Sequence, residues 1–104
     1  MVRGEIFRLG LPATRGREQA GARYGVVVQA DELLALSTVL IAPTSRSAPS
    51  RSFRPTITID DRDTRILVEQ LRAIDVTRLG DSIGRLSAHE VNALDAALEG
   101  VLGL

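Results

Sequence analysis

A chain of 104 residues with 13 arginines, no lysine and 13 acidic residues has a formal net charge of zero. Its length suits one domain, residues 1–104, and 44% apolar with 25% charged residues is ordinary globular composition, which argues against disorder. The absence of cysteine excludes a disulfide scaffold, a zinc ribbon and a thiol nucleophile; charge neutrality excludes a uniformly basic coat but not a local basic face.

Residues 1–8 hold two arginines and a glutamate with no apolar run behind them, unlike a signal peptide. Residues 4–9 read as a short strand. Residues 11–22 contain Pro12, Gly16, Gly21 and a cluster of charged and amide side chains, which is loop composition. Residues 24–29 carry Val26-Val27-Val28, a β-branched run suited to a buried strand. Residues 31–36 are expected to form one helical turn with Asp31 as its cap. Residues 38–42 read as a further strand, stopped by Pro43. The longest apolar stretch, 33–42, is broken by Ser37 and Thr38 and falls short of the roughly 20 residues a bilayer helix needs. A cytoplasmic protein without a membrane partner is the expectation.

Residues 45–55 hold three arginines, four serines and two prolines, and are expected to be a loop. Thr56-Ile57-Thr58-Ile59 alternates strictly, as a half-buried strand does. Residues 60–63 form a turn, residues 65–75 one long strand or two joined by a bend, residues 77–80 another turn, and residues 81–86 a short strand. Ser87 and Glu90 are spaced as a capping box, with Leu86 and Val91 placed as a hydrophobic staple. Val91, Leu94, Leu98 and Val101 then recur at helical spacing, and Gly103 stands ready to end the helix. Six or seven short strands closed by one amphipathic helix imply a mainly β fold. One helix cannot cover both faces of such a sheet, so the strands are expected to curl into a small barrel.

The inventory of reactive groups is short. His89 is the only histidine and falls in the first turn of the expected helix, where it is solvated. With neither cysteines nor a histidine cluster, no transition-metal site has enough ligands, and Asp60, Asp61 and Asp63 lack the spacing of a calcium loop. No cofactor is implied. The charge is unevenly placed: residues 1–30 carry five arginines against two acids, residues 31–59 three against two, and residues 60–104 five against nine. Positive charge therefore gathers around residues 11–22 and 45–55. The planar guanidinium fork matches two phosphate oxygens at once, so these loops suggest a phosphodiester ligand. Arginine-for-lysine codon usage accounts for the composition equally well, and composition alone does not separate the two.

Several segments resemble one family. Arg15-Gly16-Arg17-Glu18-Gln19-Ala20-Gly21-Ala22-Arg23 followed by Val26-Val27-Val28 resembles the Glu-Gln-x-Gly-x-Arg-Pro signature and aliphatic strand of the MazF/PemK toxins. Arg3-Gly4-Glu5-Ile6 is similar to that family's opening. Residues 38–44 resemble its second strand, which ends in threonine. Val68-Glu69-Gln70-Leu71-Arg72-Ala73-Ile74-Asp75 is similar to a further segment, and Ile83-Gly84-Arg85-Leu86-Ser87 with the helix behind it looks like the usual ending. The resemblance covers nearly the whole chain in order.

It implies an SH3-like barrel of the CcdB/MazF type, a homodimer, and the toxin of a type II toxin–antitoxin pair neutralised by a MazE-like antitoxin. It further implies a metal-independent endoribonuclease that cuts single-stranded RNA at short sequences. By position, Arg23 and Thr44 match the family's catalytic arginine and threonine, and Glu18 matches the acid beside them, the candidate general base. Arg15, Arg17, Gln19, Tyr24, Arg46, Arg51 and Arg54 are the expected RNA contacts. One departure stands out: Tyr24-Gly25 replaces the family's proline and aliphatic residue. Proline would fix the backbone after Arg23, whereas Gly25 leaves it free and Tyr24 offers a ring for base stacking. The competing reading is a catalytically weakened or non-enzymatic toxin acting by protein binding, as the CcdB-type inhibitors do. Those act through a C-terminal Trp-Gly-Ile, and this sequence has no tryptophan.

Overall fold

In the computed structural model, which describes residues 1–10 and 23–104, seven strands precede one helix. The strands are β1 (Glu5–Leu9), β2 (Tyr24–Val27), β3 (Thr38–Ser45), β4 (Thr56–Ile59), β5 (Arg62–Ile66), β6 (Arg72–Asp75) and β7 (Leu79–Arg85), and the helix is α1 (Ala88–Leu102). All pairings are antiparallel, in the order β4-β5-β3-β2-β1-β7, with β6 attached to β3 as well.

β3 organises the sheet because it changes partner halfway along one side. Its first half, Thr38 to Ile41, pairs with β6, and its last two residues, Thr44 and Ser45, pair with β5. Pro43 does not stop this strand as the sequence suggests. The carbonyl of Leu40 accepts from Val28 on the β2 side, so by alternation Pro43 turns its main-chain groups to the other side, where its carbonyl accepts from Leu67. That position lies in the gap between β6 and β5, where no ladder N–H is required of a proline.

Alternation along the strands sends side chains into two apolar clusters. Ile6, Val26, Ala42, Ile57, Ile59, Ile66 and Val68 meet Leu94 and Ala97 of α1 on one face. Leu9, Val27, Val39, Ile41 and Ile74 form a second cluster with Phe7, Val76 and Leu79 on the other. The curled sheet thus covers for itself the face that a single helix leaves open. Full burial of a side chain such as Leu94 stabilises the fold by about 1.5–3 kcal/mol relative to exposure.

The helix begins as its sequence dictates. Ser87 Oγ accepts from the Glu90 N–H at 3.1 Å and Glu90 Oε1 accepts from the Ser87 N–H at 2.9 Å. Gly103 closes it in the left-handed conformation, at φ 72°. Glu90 has a second task, since its Oε2 accepts from the Thr58 N–H at 3.3 Å on β4, the strand at one edge of the sheet. Two sequence expectations shift. Asp31 does not cap a helical turn: Ala30 occupies the cap position of the 3-10 turn Asp31–Leu33, and the Asp31 carboxylate accepts from the Arg3 N–H at 2.6 Å. The turn expected over residues 60–63 shrinks to two residues, because Asp60 and Asp61 both take positive φ (53° and 62°) as a tight hairpin turn demands. Residues 65–75 resolve into the end of β5, the 3-10 turn Val68–Gln70 and β6.

Candidate functional site

Strand register brings Arg23 and Thr44 to one end of the sheet. Gly25 pairs with Pro43 across β2 and β3, and Thr44 Oγ1 donates to the Tyr24 carbonyl at 3.3 Å. The Arg23 carbonyl accepts from the Leu9 N–H at 2.9 Å, which anchors the entry to β2 against β1. Arg23 is half-buried, and Thr44 is 7% exposed. The two lie on neighbouring strands one position apart in register, so alternation sends them to opposite sides of the sheet end. Gly25 is not the loosening element that its residue type suggests. A Cβ there would stand 3.1 Å from Leu9 Cδ2 and 3.2 Å from Ile41 Cδ1, so this glycine lets the strands close tightly behind Arg23.

Residues 46–55 leave from the same end. Ser45 Oγ accepts from the Ala48 N–H at 3.1 Å and shapes the start of the loop. Arg46 and Arg51 are exposed on it, and Arg51 donates to its neighbour's carbonyl, Ser50 O, at 2.9 Å. Arg54, an expected RNA contact, has partners within the protein. Its Nε and Nη2 donate to Glu69 Oε2 at 3.1 and 2.7 Å, and its Nη1 to the Pro49 carbonyl at 3.2 Å. That pair staples the loop to the turn before β6, and the Arg54 guanidinium holds the Glu69 carboxyl below the usual carboxylate range. Arg54 was legible as a cation on a polar loop, but its partner lies fifteen residues away.

Tyr24, another expected RNA contact, is buried. It is 7% exposed, it packs in the cluster under α1, and Arg8 lies over its ring at 5.4 Å. The ring is a core member, not a free surface for a base. Arg15, Arg17, Glu18 and Gln19 lie outside the described residues. His89 is exposed in the first turn of α1, and Asp60, Asp61 and Asp63 are exposed at the β4–β5 hairpin. No three potential metal-ligating side chains converge among the described residues. Among those residues, no helix is long and apolar enough to cross a membrane.

Sequence reasoning passed over Arg65. It pairs in register with Ser45 on one side and Thr56 on the other, and its Nε is buried without a hydrogen-bond partner among the described residues. The burial of Thr64 and Ile66 on either side turns Arg65 outward, and the β3–β5 pairing shows what it faces. The sheet end therefore offers a half-buried guanidinium, a buried hydroxyl, two exposed loop arginines and a second strand arginine, which together suit an anionic ligand.

Residues 2–102 match the sequence profile of the PemK-like, MazF-like toxin of type II toxin–antitoxin systems. The chain is 35% identical to a Mycobacterium tuberculosis protein designated a candidate toxin, Rv3098A, over all of this chain and 99% of that one. It is 31% identical to the endoribonuclease MazF of Staphylococcus epidermidis, over 98% of this chain and 91% of that one. Among solved structures, a mycobacterial endoribonuclease in complex with its cognate antitoxin superposes with a TM-score of 0.81 at 18% identity, covering 100% of this chain and 96% of that one. MazF in the MazE–MazF complex of Deinococcus radiodurans gives the same TM-score, identity and coverage. These structural likenesses extend the curled antiparallel sheet with its C-terminal helix to both.

Proposed function

Since the chain belongs to the PemK-like, MazF-like toxins of type II toxin–antitoxin systems, we propose that it is an endoribonuclease that cuts single-stranded RNA at short sequences and so inhibits translation and growth. The observation that carries the reading is that the register of β2 and β3 brings Arg23 and Thr44 to the same end of the sheet, where a phosphate bound past the strand ends is within reach of both sides.

In this reading the ribose 2′-hydroxyl attacks the adjacent phosphorus. The new 2′-O–P bond forms as the P–O5′ bond breaks, giving a 2′,3′-cyclic phosphate and a 5′-hydroxyl. Glu18 takes the 2′ proton, and the departing 5′ oxygen takes a proton from solvent water. The Arg23 fork carries the charge that builds on the phosphorane oxygens, a role for which a guanidinium is better suited than for proton transfer. Thr44 turns its hydroxyl from the Tyr24 carbonyl to a phosphate oxygen; the 3.3 Å bond it leaves is a long one. Arg46 and Arg51 steer the RNA backbone, with Arg15, Arg17 and Gln19 as further contacts. Arginine and threonine supply the charge stabilisation in this scheme, so no metal is needed. A MazE-like antitoxin is the proposed partner, and a homodimer the proposed assembly, since a domain near 100 residues has a limited core and gains from pairing.

Incubating a long RNA with the protein in the presence of a chelator and mapping new 5′-hydroxyl ends tests the chemistry. Cleavage is expected at a short recurring sequence. Arg23→Ala should abolish it with the melting temperature retained, and Thr44→Val should lower kcat. Full cleavage by Arg23→Ala would sink the assignment.

A further inference from the structure

The row of residues that crosses the sheet end begins at Arg23 and does not stop at Ser45. The β2–β3 register, Gly25 with Pro43 and Thr44 level with Tyr24, places Ser45 beside Arg23 when carried on by one residue. Ser45 pairs in turn with Arg65 on β5, and Arg65 with Thr56 on β4. Arg23 and Arg65 thus flank one serine, two strand spacings or about 10 Å apart at the backbone. Thr64 and Ile66 turn into the core, so Arg65 faces the other way, as Ser45 and Thr56 do. Its cross-strand neighbours are hydroxyl residues and not acids.

None of the ion pairs among the described residues includes Arg65, and Asp63, the nearest acid along that face of β5, is exposed. The buried Nε lacks a hydrogen-bond partner among the described residues. A guanidinium nitrogen held out of water without a partner among the described residues opposes folding, and an anion bound beside it offsets that cost. Arg54 makes the contrast: this loop arginine donates to Glu69 and to the Pro49 carbonyl.

Resting on the proposed function, we infer that Arg65 is a second phosphate-binding side chain on this surface, gripping the RNA backbone beside the phosphate that Arg23 meets. It contributes to binding and not to the chemical step. Single-stranded RNA presents a phosphate at every nucleotide, so two guanidiniums flanking a hydroxyl engage the backbone without reading base identity.

The test uses the full chain and a non-cleavable probe, the mapped cut-site oligoribonucleotide with a single 2′-deoxy substitution at the attacking ribose. Arg65→Met keeps much of the apolar stem and removes the charge. It should weaken probe binding about tenfold and lower the slope of log affinity against log salt by about 0.7. KM for cleavable RNA should rise while kcat stays within about twofold, and the melting temperature should hold or increase. Arg65→Lys should restore the salt slope. Unaltered binding and slope in Arg65→Met, with normal binding by the parent protein, overturns this inference alone. A fall in melting temperature with joint loss of kcat and KM makes Arg65 structural and also overturns it. Failure of the parent protein to bind or cut RNA overturns the proposed function and this inference together.

Discussion

Replacing Arg54 with alanine separates two roles that an arginine on a polar loop can play. The side chain makes three hydrogen bonds, two to Glu69 Oε2 and one to the Pro49 carbonyl. Exposed ion pairs contribute about 0.2–1 kcal/mol, and a hydrogen bond to a charged group about 1.5–3 kcal/mol. With the paired side chains 17% and 27% exposed, the pair is partly screened, and Arg54→Ala should cost about 1–2 kcal/mol. In a domain of this size that lowers the melting temperature by about 4–16 °C. Glu69→Gln should lower it as well, and the double variant should lose less than the sum of the two. The salt slope of RNA binding should stay as in the parent protein, because Arg54 already faces a carboxylate. The assay pairs thermal melts with affinity measured across salt. An unchanged melt together with a slope reduced by about 0.7 would refute the reasoning and restore Arg54 as a phosphate contact. Acid gives a further check. The hydrogen bond from Arg54 lowers the Glu69 pKa from its ordinary 4.5, so the unfolded chain binds the proton more tightly than the folded one. The stabilisation is complete above pH 4.5 and is lost as pH falls through the lowered value, so parent and Glu69→Gln should converge in acid.

Other perturbations test the frame. Glu90→Ala removes the acceptor for both the Ser87 and Thr58 N–H groups, and should cost about 1–2 kcal/mol, more than Ser87→Ala, in thermal or urea unfolding; equal losses would show the Thr58 contact to be idle. Leu94→Ala empties a fully buried position beneath the sheet and should cost about 2–5 kcal/mol by denaturant melts, with a loss below about 1 kcal/mol placing α1 elsewhere. Glu5 accepts from the Ser82 hydroxyl at 2.6 Å, and that bond leads the lowering of its pKa from 4.5. Its contribution is present above pH 4.5 and fades as pH falls through the lowered value, so Ser82→Ala should be destabilising at neutral pH and nearly silent in strong acid; a penalty that persists in acid would assign the contact to packing alone.

Local chemistry was legible wherever a short stretch decides its own structure. The alternation of Thr56-Ile57-Thr58-Ile59 marks β4 to the residue, and the Ser87 and Glu90 spacing marks the start of α1. Gly103 ends the helix as expected, since a left-handed residue after the last turn favours glycine. The resemblance carried by Arg23, Thr44 and the segments around them pointed to the family that the full-length match shows. What the sequence could not reveal depends on pairings between distant segments. Pro43 looks like a stop until β3 is seen to change partners beside it, and Gly25 looks loose until Leu9 and Ile41 close over it. Tyr24 and Arg54, two expected RNA contacts, turn out to be engaged within the protein, by the core with Arg8 and by Glu69. Arg65 gains its meaning from the opposite effect. A strand that is outward-facing by its own alternation sets a guanidinium beside Ser45, a neighbour twenty residues away in sequence, and only the tertiary pairing puts it there.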